Sequence, residues 1–510
     1  MSVEFDEIVV GAGSAGAVLA ARLAARPERR VLLVEAGPDY PDQAVLPEDL
    51  RNGCTPSMVA HDWSLVGRRD DGVELPLPRG KVVGGCSAVN ACLALRPEAT
   101  DFDRWAAAGV PGWSWPEVLP FFVRLEADAD FGGGYHGAHG PLPVRRPSRT
   151  SYTPLSAALV ETATAAGYPL VVDHNAPGAT GVGPLPLNLV DGRRVSTAAA
   201  YLEPVRGRPN LVLWAGTMVD RVLFDGITAT GVVVRSGSRT AEVRGGRVTL
   251  CAGAYGTPAL LQRSGVGPAA LLRSLDIDVV ADLPGVGAGL SDHSQVPIGV
   301  VPQPGLCDPA DPCAQVVLRY TAPGSTVAND MQLYVLNHVE LGVYAPHLDS
   351  VPGGRAFMVT SNLMAPRGRG TVAVVSRDPR VPPQISIDYG REAEDVRRQR
   401  AGVELGWDLL RQPAFIVLTK EIIDLDADTV RSPAALGAYV RRAARTAHHP
   451  AGTARLGPAS DPHAVADGRC RVHGTKQLRV ADASIIPVPV RANTNLVSIM
   501  IGERVADWSD

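Results

Sequence analysis

The stretch Glu7-Ile-Val-Val-Gly-Ala-Gly-Ser-Ala-Gly16 decides the fold of this chain. Its apolar start predicts a short β-strand, and small and apolar residues from Ala15 to Ala25 recur at helical spacing. Between the two, Gly11 permits a tight turn, Gly13 lets the backbone approach a pyrophosphate, and Gly16 lets the helix lie close to the strand. This unit predicts a Rossmann-like dinucleotide-binding domain of the α/β class. The predicted cofactor contacts of the turn are Gly11, Gly13, Ser14, Ala15 and Gly16.

A second apolar run, Val31–Val34, ends in Glu35 about twenty residues beyond the glycines. A carboxylate at that position can accept hydrogen bonds from the ribose hydroxyls of an adenosine cofactor. It favours FAD or NAD over NADP, because a 2′-phosphate would meet like charge. A glutamate at a strand end can also be a plain surface residue, but the complete unit favours the cofactor role for Glu35 and the adjoining Ala36.

Length and composition predict an ordinary globular protein with more than one domain. The chain has 510 residues, 45% apolar and 20% charged, which is too long for one typical core. A net charge of −4, from 49 basic and 53 acidic residues, offers no strong positive field, so we expect no nucleic-acid partner.

Targeting and cysteine patterns favour a cytoplasmic protein. No apolar run approaches the roughly 18 residues that span a bilayer, and the start lacks the pattern of a secretory signal. The seven cysteines are odd in number and include no C-x-x-C pair, so we expect neither a disulfide framework nor a metal site.

The segment Gly80-Lys-Val-Val-Gly-Gly-Cys-Ser-Ala-Val-Asn-Ala-Cys-Leu-Ala94 is rich in small residues where a strand or helix would need bulk. Small side chains here would let a flat group approach the backbone. A buried glycine turn explains the same composition equally well when the segment is taken alone.

With this segment the sequence resembles the glucose-methanol-choline oxidoreductases, whose first fingerprint has the form G-K-x-[aliphatic]-G-G-[small]-S-x-[aliphatic]-N. A second fingerprint of the family is matched at Gly253–Gly267, and Asp292-His293 follows it as in relatives. The resemblance implies FAD as the cofactor. Val89 stands where some choline-oxidising members carry a histidine that binds FAD covalently, so a non-covalent flavin is expected here. The further cofactor contacts that the resemblance implies are Val83, Gly85, Asn90, Ala91, Cys92, Leu93, Val219, Asp482, Ala483, Thr494 and Asn495.

The C-terminal region supplies the predicted catalytic pair, His449 and Asn493. His448 and His449 are adjacent and cannot both face one substrate from a regular element. Resemblance to the family's H-x-x-G-T motif assigns the catalytic role to His449, whereas a lone histidine is more often a hydrogen-bonded core residue. The family's second active-site residue falls on Asn493; Asn495 is the rival, but it resembles the asparagine that packs under the flavin.

This pair predicts alcohol oxidation. An imidazole with an ordinary pKa of about 6.5 can take the hydroxyl proton near neutral pH. FAD would take the hydride from carbon, and the flavin would return its electrons to O2 or another acceptor. The alternatives are a hydroxynitrile-lyase-like member that uses the histidine as base without flavin redox chemistry, a photodecarboxylase, and a non-catalytic flavin-binding module.

The predicted architecture is a discontinuous FAD-binding domain with an α+β substrate-binding domain over the flavin. The FAD domain takes residues 1–150, 195–300 and 445–510, and the substrate domain takes residues 151–194 and 301–444. We expect an amphipathic helix at Glu392–Leu410 and a helix at Ile501–Ala506 that directs its N-terminus toward the flavin. An aryl or small aliphatic alcohol is the expected substrate, with a modified metabolite as the alternative; the oligomeric state stays open. Aromatic residues that would line its pocket, or else pack in the core, are Trp63, Tyr334 and Tyr344.

Overall fold

The computed structural model describes residues 4–340 and 354–508 of the chain. Tyr344 lies outside the described residues. The predicted α/β fold, with a Rossmann-like cofactor domain and an α+β region beside it, is confirmed.

The first sheet contains five parallel strands. They lie in the order Leu211–Trp214, Val31–Val34, Phe5–Val10, Arg239–Leu250 and Leu478–Val480. Val10 pairs with both Val34 and Leu250, so these strands end at the same edge of the sheet. The residues that follow the strands, including the glycine turn and Glu35, therefore meet at this edge, where doubly wound sheets bind their ligands.

An antiparallel extension continues the same sheet. The long strand Arg239–Leu250 pairs through its first half with Thr228–Ser236, which in turn pairs with Met218–Asp225. Val219, near the start of this extension, lines the cavity that is described below.

A seven-stranded sheet, antiparallel throughout, forms the centre of the second region. Its strands, in spatial order, are Thr419–Ile423, Ser294–Pro302, Arg355–Leu363, Met331–Glu340, Val316–Tyr320 and Gly181–Pro184, with Arg445–Thr446 paired beside the second of them. Helix Ala393–Leu410, which starts and ends within a residue of the prediction, packs on this sheet. The predicted division between residues 300 and 301 falls inside the strand Ser294–Pro302.

The remaining strands form smaller sheets. A five-stranded sheet has the order Ala288–Leu290, Gly370–Ala373, Gln384–Ile387, Val66–Arg69 and Glu74–Pro76. The two-stranded sheets pair Val266–Gly267 with Ala281–Asp282, Glu126–Asp128 with Leu142–Val144, and Leu189–Val190 with Arg193–Arg194.

The α-helices surround these sheets. They span Gly16–Leu23, Glu48–Arg51, Ala99–Ala107, Trp115–Leu125, Pro154–Ala165, Gly253–Arg263, Ala269–Ser274, Ala393–Leu410, Pro413–Ile416, Ala427–Arg431, Pro433–Ala443 and Thr494–Asp507. Across residues 4–340 and 354–508, no helix combines the length and the apolar character needed to cross a membrane.

The last helix corrects one prediction. It begins at Thr494 rather than at Ile501, seven residues earlier than expected. The polar and β-branched residues of its first turns resemble a loop, but packing overrides this weak local signal, because the helix is buried along most of its length. Asn493 is therefore the residue just before the helix, and its side chain makes no capping hydrogen bond.

Candidate active site

The glycine turn has the close contacts that its sequence predicts. Gly11 has a φ of +99°, and a Cβ atom on it would lie 2.5 Å from the carbonyl oxygen of Cys251. A Cβ atom on Gly85 would lie 2.6 Å from the Cα atom of Gly13. The N-terminal turn and the segment from Gly80 to Ala94 thus pack backbone against backbone, which leaves room for a thin ligand along their joint surface.

Glu35 faces this turn at the end of its strand. Its carboxylate accepts the backbone N–H of Ala12 at 2.9 Å and that of Gly37 at 2.8 Å. Burial raises the pKa of this carboxyl, and the two backbone donors oppose that rise. Glu35 also lines the cavity described below, where its remaining lone pairs can accept ribose hydroxyls.

Buried Arg194 organises the loop that carries Asn90 and Ala91. Its guanidinium donates to the carbonyl oxygens of Asp49, Leu50, Thr55, Ala88 and Asn90, each at 2.8 Å. One side chain therefore holds three separate backbone segments in place. No local sequence signal predicted this role, because every partner of Arg194 is at least about one hundred residues away in sequence.

The C-terminal segment joins the same site through Asp482 and Asn495. The Asp482 carboxylate accepts the backbone N–H groups of Gly253 and Ser484, each at 2.8 Å. Ser14 Oγ donates to Asn495 Oδ1 at 2.8 Å, which ties the first helix to the last. The buried Asn495 Nδ2 has no protein partner in the described structure, so it is free to donate to a bound ligand.

A cavity of about 860 Å3 is lined both by the glycine turn and by the predicted catalytic pair, His449 and Asn493. Trp63, Tyr334 and Val89 also lie in its wall. The predicted site residues that line it are Gly11, Gly13, Ser14, Ala15, Glu35, Ala36, Gly85, Asn90, Ala91, Leu93, Val219, His449, Asp482, Ala483, Asn493, Thr494 and Asn495.

Three predicted cofactor contacts do not reach the cavity. Gly16 packs behind the turn, where an added Cβ atom would lie 1.9 Å from the carbonyl oxygen of Gly11. Val83 is buried and donates its backbone N–H to Pro38 at 3.0 Å. Cys92 is buried behind Asn90, whose Oδ1 accepts its N–H at 2.9 Å. These three residues support the backbone of the site without lining the cavity.

The predicted catalytic residues lie together at one end of the cavity. His449 Nε2 is 3.0 Å from Asn493 Nδ2, and His449 Nδ1 is 3.0 Å from His293 Nδ1. Because an amide nitrogen only donates, His449 Nε2 is the accepting nitrogen in this arrangement. The sequence had placed His293 next to a family motif but gave it no role.

Asp292 holds the backbone of His449, the predicted catalytic histidine. Its buried carboxylate accepts the N–H of His449 at 2.9 Å and the hydroxyls of Tyr389 and Thr446 at 2.6 Å each. Asn493 is positioned in a similar way, since Arg491 two residues earlier forms a buried ion pair with Asp101 at 2.7 Å. Buried charged groups therefore hold the backbone at or near both predicted catalytic residues.

Burial holds the pKa of His449 well below its ordinary value of 6.5, and the neighbouring His293, His448 and Arg79 lower that pKa further. His449 is thus neutral at pH 7 and ready to accept a proton. His448 also lines the cavity, contrary to the expectation that it faces elsewhere. Its φ of +67° lets both neighbouring histidines reach the cavity, and burial lowers its pKa to about 3.

Fold and site together define a flavoenzyme-type architecture, and comparison with known proteins gives the family. The profile of the GMC oxidoreductase family matches this chain over residues 5–295 with its N-terminal part and over 366–502 with its C-terminal part. An oxygen-dependent choline dehydrogenase of Ectopseudomonas mendocina is 36% identical over 546 aligned positions, which cover 99% of this chain and 94% of that protein.

Solved structures agree with this match. Pyridoxine 4-oxidase from Mesorbium loti is 30% identical, with a TM-score of 0.90 and 99% of each chain covered. A fungal aryl-alcohol oxidase has a TM-score of 0.83 at 24% identity, with 100% of each chain covered, and this likeness concerns the fold.

The chain belongs to the GMC oxidoreductase family. It is an FAD-dependent oxidoreductase that converts alcohols to carbonyl compounds, so the predicted cofactor and reaction class are confirmed. The relatives favour this reaction over the lyase and photodecarboxylase alternatives.

Proposed function

We propose that His449 is the general base of this alcohol oxidation and that Asn493 is the hydrogen-bond donor to the substrate oxygen. The observation that carries the proposal is the 3.0 Å contact between His449 Nε2 and Asn493 Nδ2 within the cavity that begins at the glycine turn. A substrate hydroxyl group that replaces this direct contact would accept a hydrogen bond from Asn493 and donate one to His449. Bound FAD supplies the acceptor for the hydride.

His449 suits this role because it is neutral before the substrate binds. A base with a depressed pKa accepts a proton only when the proton donor is activated, and Asn493 provides that activation by stabilising developing negative charge on oxygen. Loss of one such donor costs about 3 kcal/mol in other enzymes.

FAD is held without a covalent bond in this proposal. Val89 contributes a hydrocarbon side chain to the cavity wall, and it has no atom that could attach to a flavin. Precipitation with acid should release the yellow chromophore into the supernatant. A protein pellet that stays yellow would show that another residue, such as nearby Cys86, carries the flavin.

The proposed substrate is a neutral alcohol on an aromatic or heteroaromatic ring. The seven-stranded sheet forms one wall of the cavity, and the side chains that it contributes include amide, hydroxyl and phenol groups. They belong to two cross-strand pairs, Gln295 with Asn362 and Tyr334 with Thr360. Such groups recognise uncharged polar substituents, and Tyr334 offers an aromatic edge. The pyridoxine oxidase relative fits this class by its name.

Choline is the second candidate, favoured by the 36% identical relatives named for it. A quaternary ammonium group binds best against aromatic faces or a carboxylate. Among the described residues of the seven-stranded sheet that line the cavity, Glu340 is the one that carries a carboxylate. Its side chain is exposed and lies 4.0 Å from Arg355. We therefore rank choline as a weaker candidate substrate than a neutral aryl alcohol, because the sheet offers its ammonium group only this exposed carboxylate among the described residues.

Anaerobic flavin bleaching by benzyl alcohol, pyridoxine, 1-butanol and choline tests the substrate class directly. Faster bleaching by the ring-bearing alcohols supports the proposal, and a clear preference for choline overturns it. Repeating the assay in air with peroxide detection separates O2 from another electron acceptor.

The two-domain division and a cytoplasmic location remain predictions; limited proteolysis tests the domain division, and cell fractionation tests the location.

A further inference from the structure

The catalytic histidine has a neighbour whose role the reaction does not yet explain. His293 is buried, with 2% of its surface exposed, at the start of the strand Ser294–Pro302. Its Nδ1 atom lies 3.0 Å from His449 Nδ1, and the two rings meet nearly edge to face at 74°. Two nitrogens at this distance share one proton, so one ring must donate and the other must accept.

The surroundings of the two rings decide which one donates. Asn493 Nδ2 donates to His449 Nε2, so neutral His449 carries its proton on Nδ1. Hydrogen bonds with the backbone of Val490 and Met364 raise the pKa of His293. Backbone groups with this effect accept a hydrogen bond from a protonated ring nitrogen. With Nδ1 facing His449, the other nitrogen of His293 is the one that carries this proton.

We propose that His293 is a positioning residue that accepts the Nδ1–H of His449 and thereby fixes the tautomer in which His449 Nε2 is free to take the substrate proton. A chain of hydrogen bonds then runs from backbone carbonyls through His293 and His449 to Asn493. When His449 takes the proton on Nε2, its Nδ1–H still donates to His293, so the positive charge is stabilised without movement of a second proton.

A neutral acceptor suits this site better than the carboxylate found in many histidine-containing catalytic groups. Burial lowers the pKa of His293 to about 4, so His293 is neutral throughout the working range of pH. The neighbouring carboxylate of Asp292 already accepts hydrogen bonds from the backbone N–H of His449 and from two hydroxyl groups, so it does not serve as the acceptor for His449 Nδ1. The other charged or titratable groups that face His449 are His448 and Arg79.

The test compares His293→Asn with His293→Gln. The two side chains have the same chemistry, but the Asn Oδ1 occupies the place of Nδ1, whereas the Gln Oε1 reaches toward the place of Nε2. Anaerobic stopped-flow reduction by benzyl alcohol, or by choline if that alcohol bleaches faster, gives the rate of flavin reduction and the substrate affinity. His174→Leu serves as a control, because His174 is equally buried and lies outside the cavity wall.

We expect His293→Gln to slow flavin reduction about 10- to 100-fold, as loss of an outer partner of a functional histidine does elsewhere, with FAD content and substrate affinity retained. His293→Asn should recover most of the rate. His293→Gln should also move the acidic limb of the rate profile to lower pH by about one unit, because protonated His449 loses its acceptor. A packing defect would instead lower the rate equally at every pH.

Equal rates for the Asn and Gln variants, or a Gln variant as fast as the wild type, overturn the role of His293. The inference rests on the proposed base, so His449→Ala is measured in parallel. If His449→Ala reduces flavin at the wild-type rate, the proposed base is wrong. If His449→Ala is inactive while His293→Gln is unaffected, only the positioning role fails.

Discussion

Ser14 Oγ donates a hydrogen bond to Asn495 Oδ1 across 2.8 Å and 481 positions of sequence. This bond fixes the start of the first helix against the start of the last helix, and so it joins the phosphate-binding turn to the segment that carries Asn493. The predicted cofactor turn is therefore linked directly to the segment of the predicted catalytic pair.

Ser14→Ala should weaken FAD binding without abolishing it. The lost hydrogen bond contributes about 0.5–1.5 kcal/mol, which corresponds to roughly a threefold to tenfold higher dissociation constant for FAD. Titration of apoprotein with FAD, followed by fluorescence, measures the change. Ser274→Ala is a suitable control, since its exposed hydroxyl bonds only to its own helix. An unchanged FAD affinity would show that the bond does not support the site.

Gly85→Ala should produce protein without flavin. The new Cβ atom would lie 2.6 Å from the Gly13 Cα atom, and Gly85 has a φ of +51° that disfavours alanine. The turn and the opposing segment would have to separate. The ratio of flavin absorbance to protein absorbance measures the loss, while Gly132→Ala, at an open position, should keep a full complement of FAD.

Asp101→Asn should destabilise the fold strongly. The ion pair of Asp101 with Arg491 is buried on both sides, and removal of one partner leaves an uncompensated charge that costs about 3–5 kcal/mol. The exposed pair of Asp428 and Arg431 provides the control, because Asp428→Asn should cost less than about 1 kcal/mol. Denaturant unfolding of both variants gives the two values, and similar costs would contradict the assigned importance of burial.

The acidic cluster around His136 should make stability fall at alkaline pH. Hydrogen bonds from the ring to the carboxylates of Asp128, Asp173 and Glu126 raise the pKa of His136 to about 10. A folded pKa above the unfolded value of about 6.5 gives stability that is complete below pH 6.5 and lost as pH rises toward 10, on the order of 3 kcal/mol. Unfolding midpoints from pH 6 to pH 10 should therefore fall in the wild type and change less in His136→Gln. Equal slopes for the two proteins would reject the protonated histidine.

Local sequence patterns were sufficient for the cofactor half of the site. The strand Val31–Val34 was predicted to the residue, because short apolar runs bounded by polar residues are typical of parallel strands. The glycine turn and Glu35 were predicted for the same reason: their roles depend on spacing within one βαβ unit.

The contacts that complete the site depend on long-range packing, which no local pattern reports. His293 contacts His449 across 156 positions of sequence. Arg194 contacts the loop that carries Asn90 and Ala91 across more than one hundred positions. The start of the last helix was missed because residues 494–498 favour a loop locally, and only their burial against the first helix makes them helical. Sequence resemblance predicted His449 and Asn493 as the pair that the structure brings into contact, whereas their partners required the structure.

Anaerobic flavin reduction by His449→Ala tests the central claim most directly. The variant should purify with a full complement of FAD, since the contacts of the His449 ring are with His293 and Asn493 and not with the glycine turn. Its reduction by the best alcohol substrate should be about 10²- to 10⁴-fold slower than that of the wild type, which is the usual contribution of a general base. Reduction at the wild-type rate with intact FAD would contradict the assignment of His449 as the base.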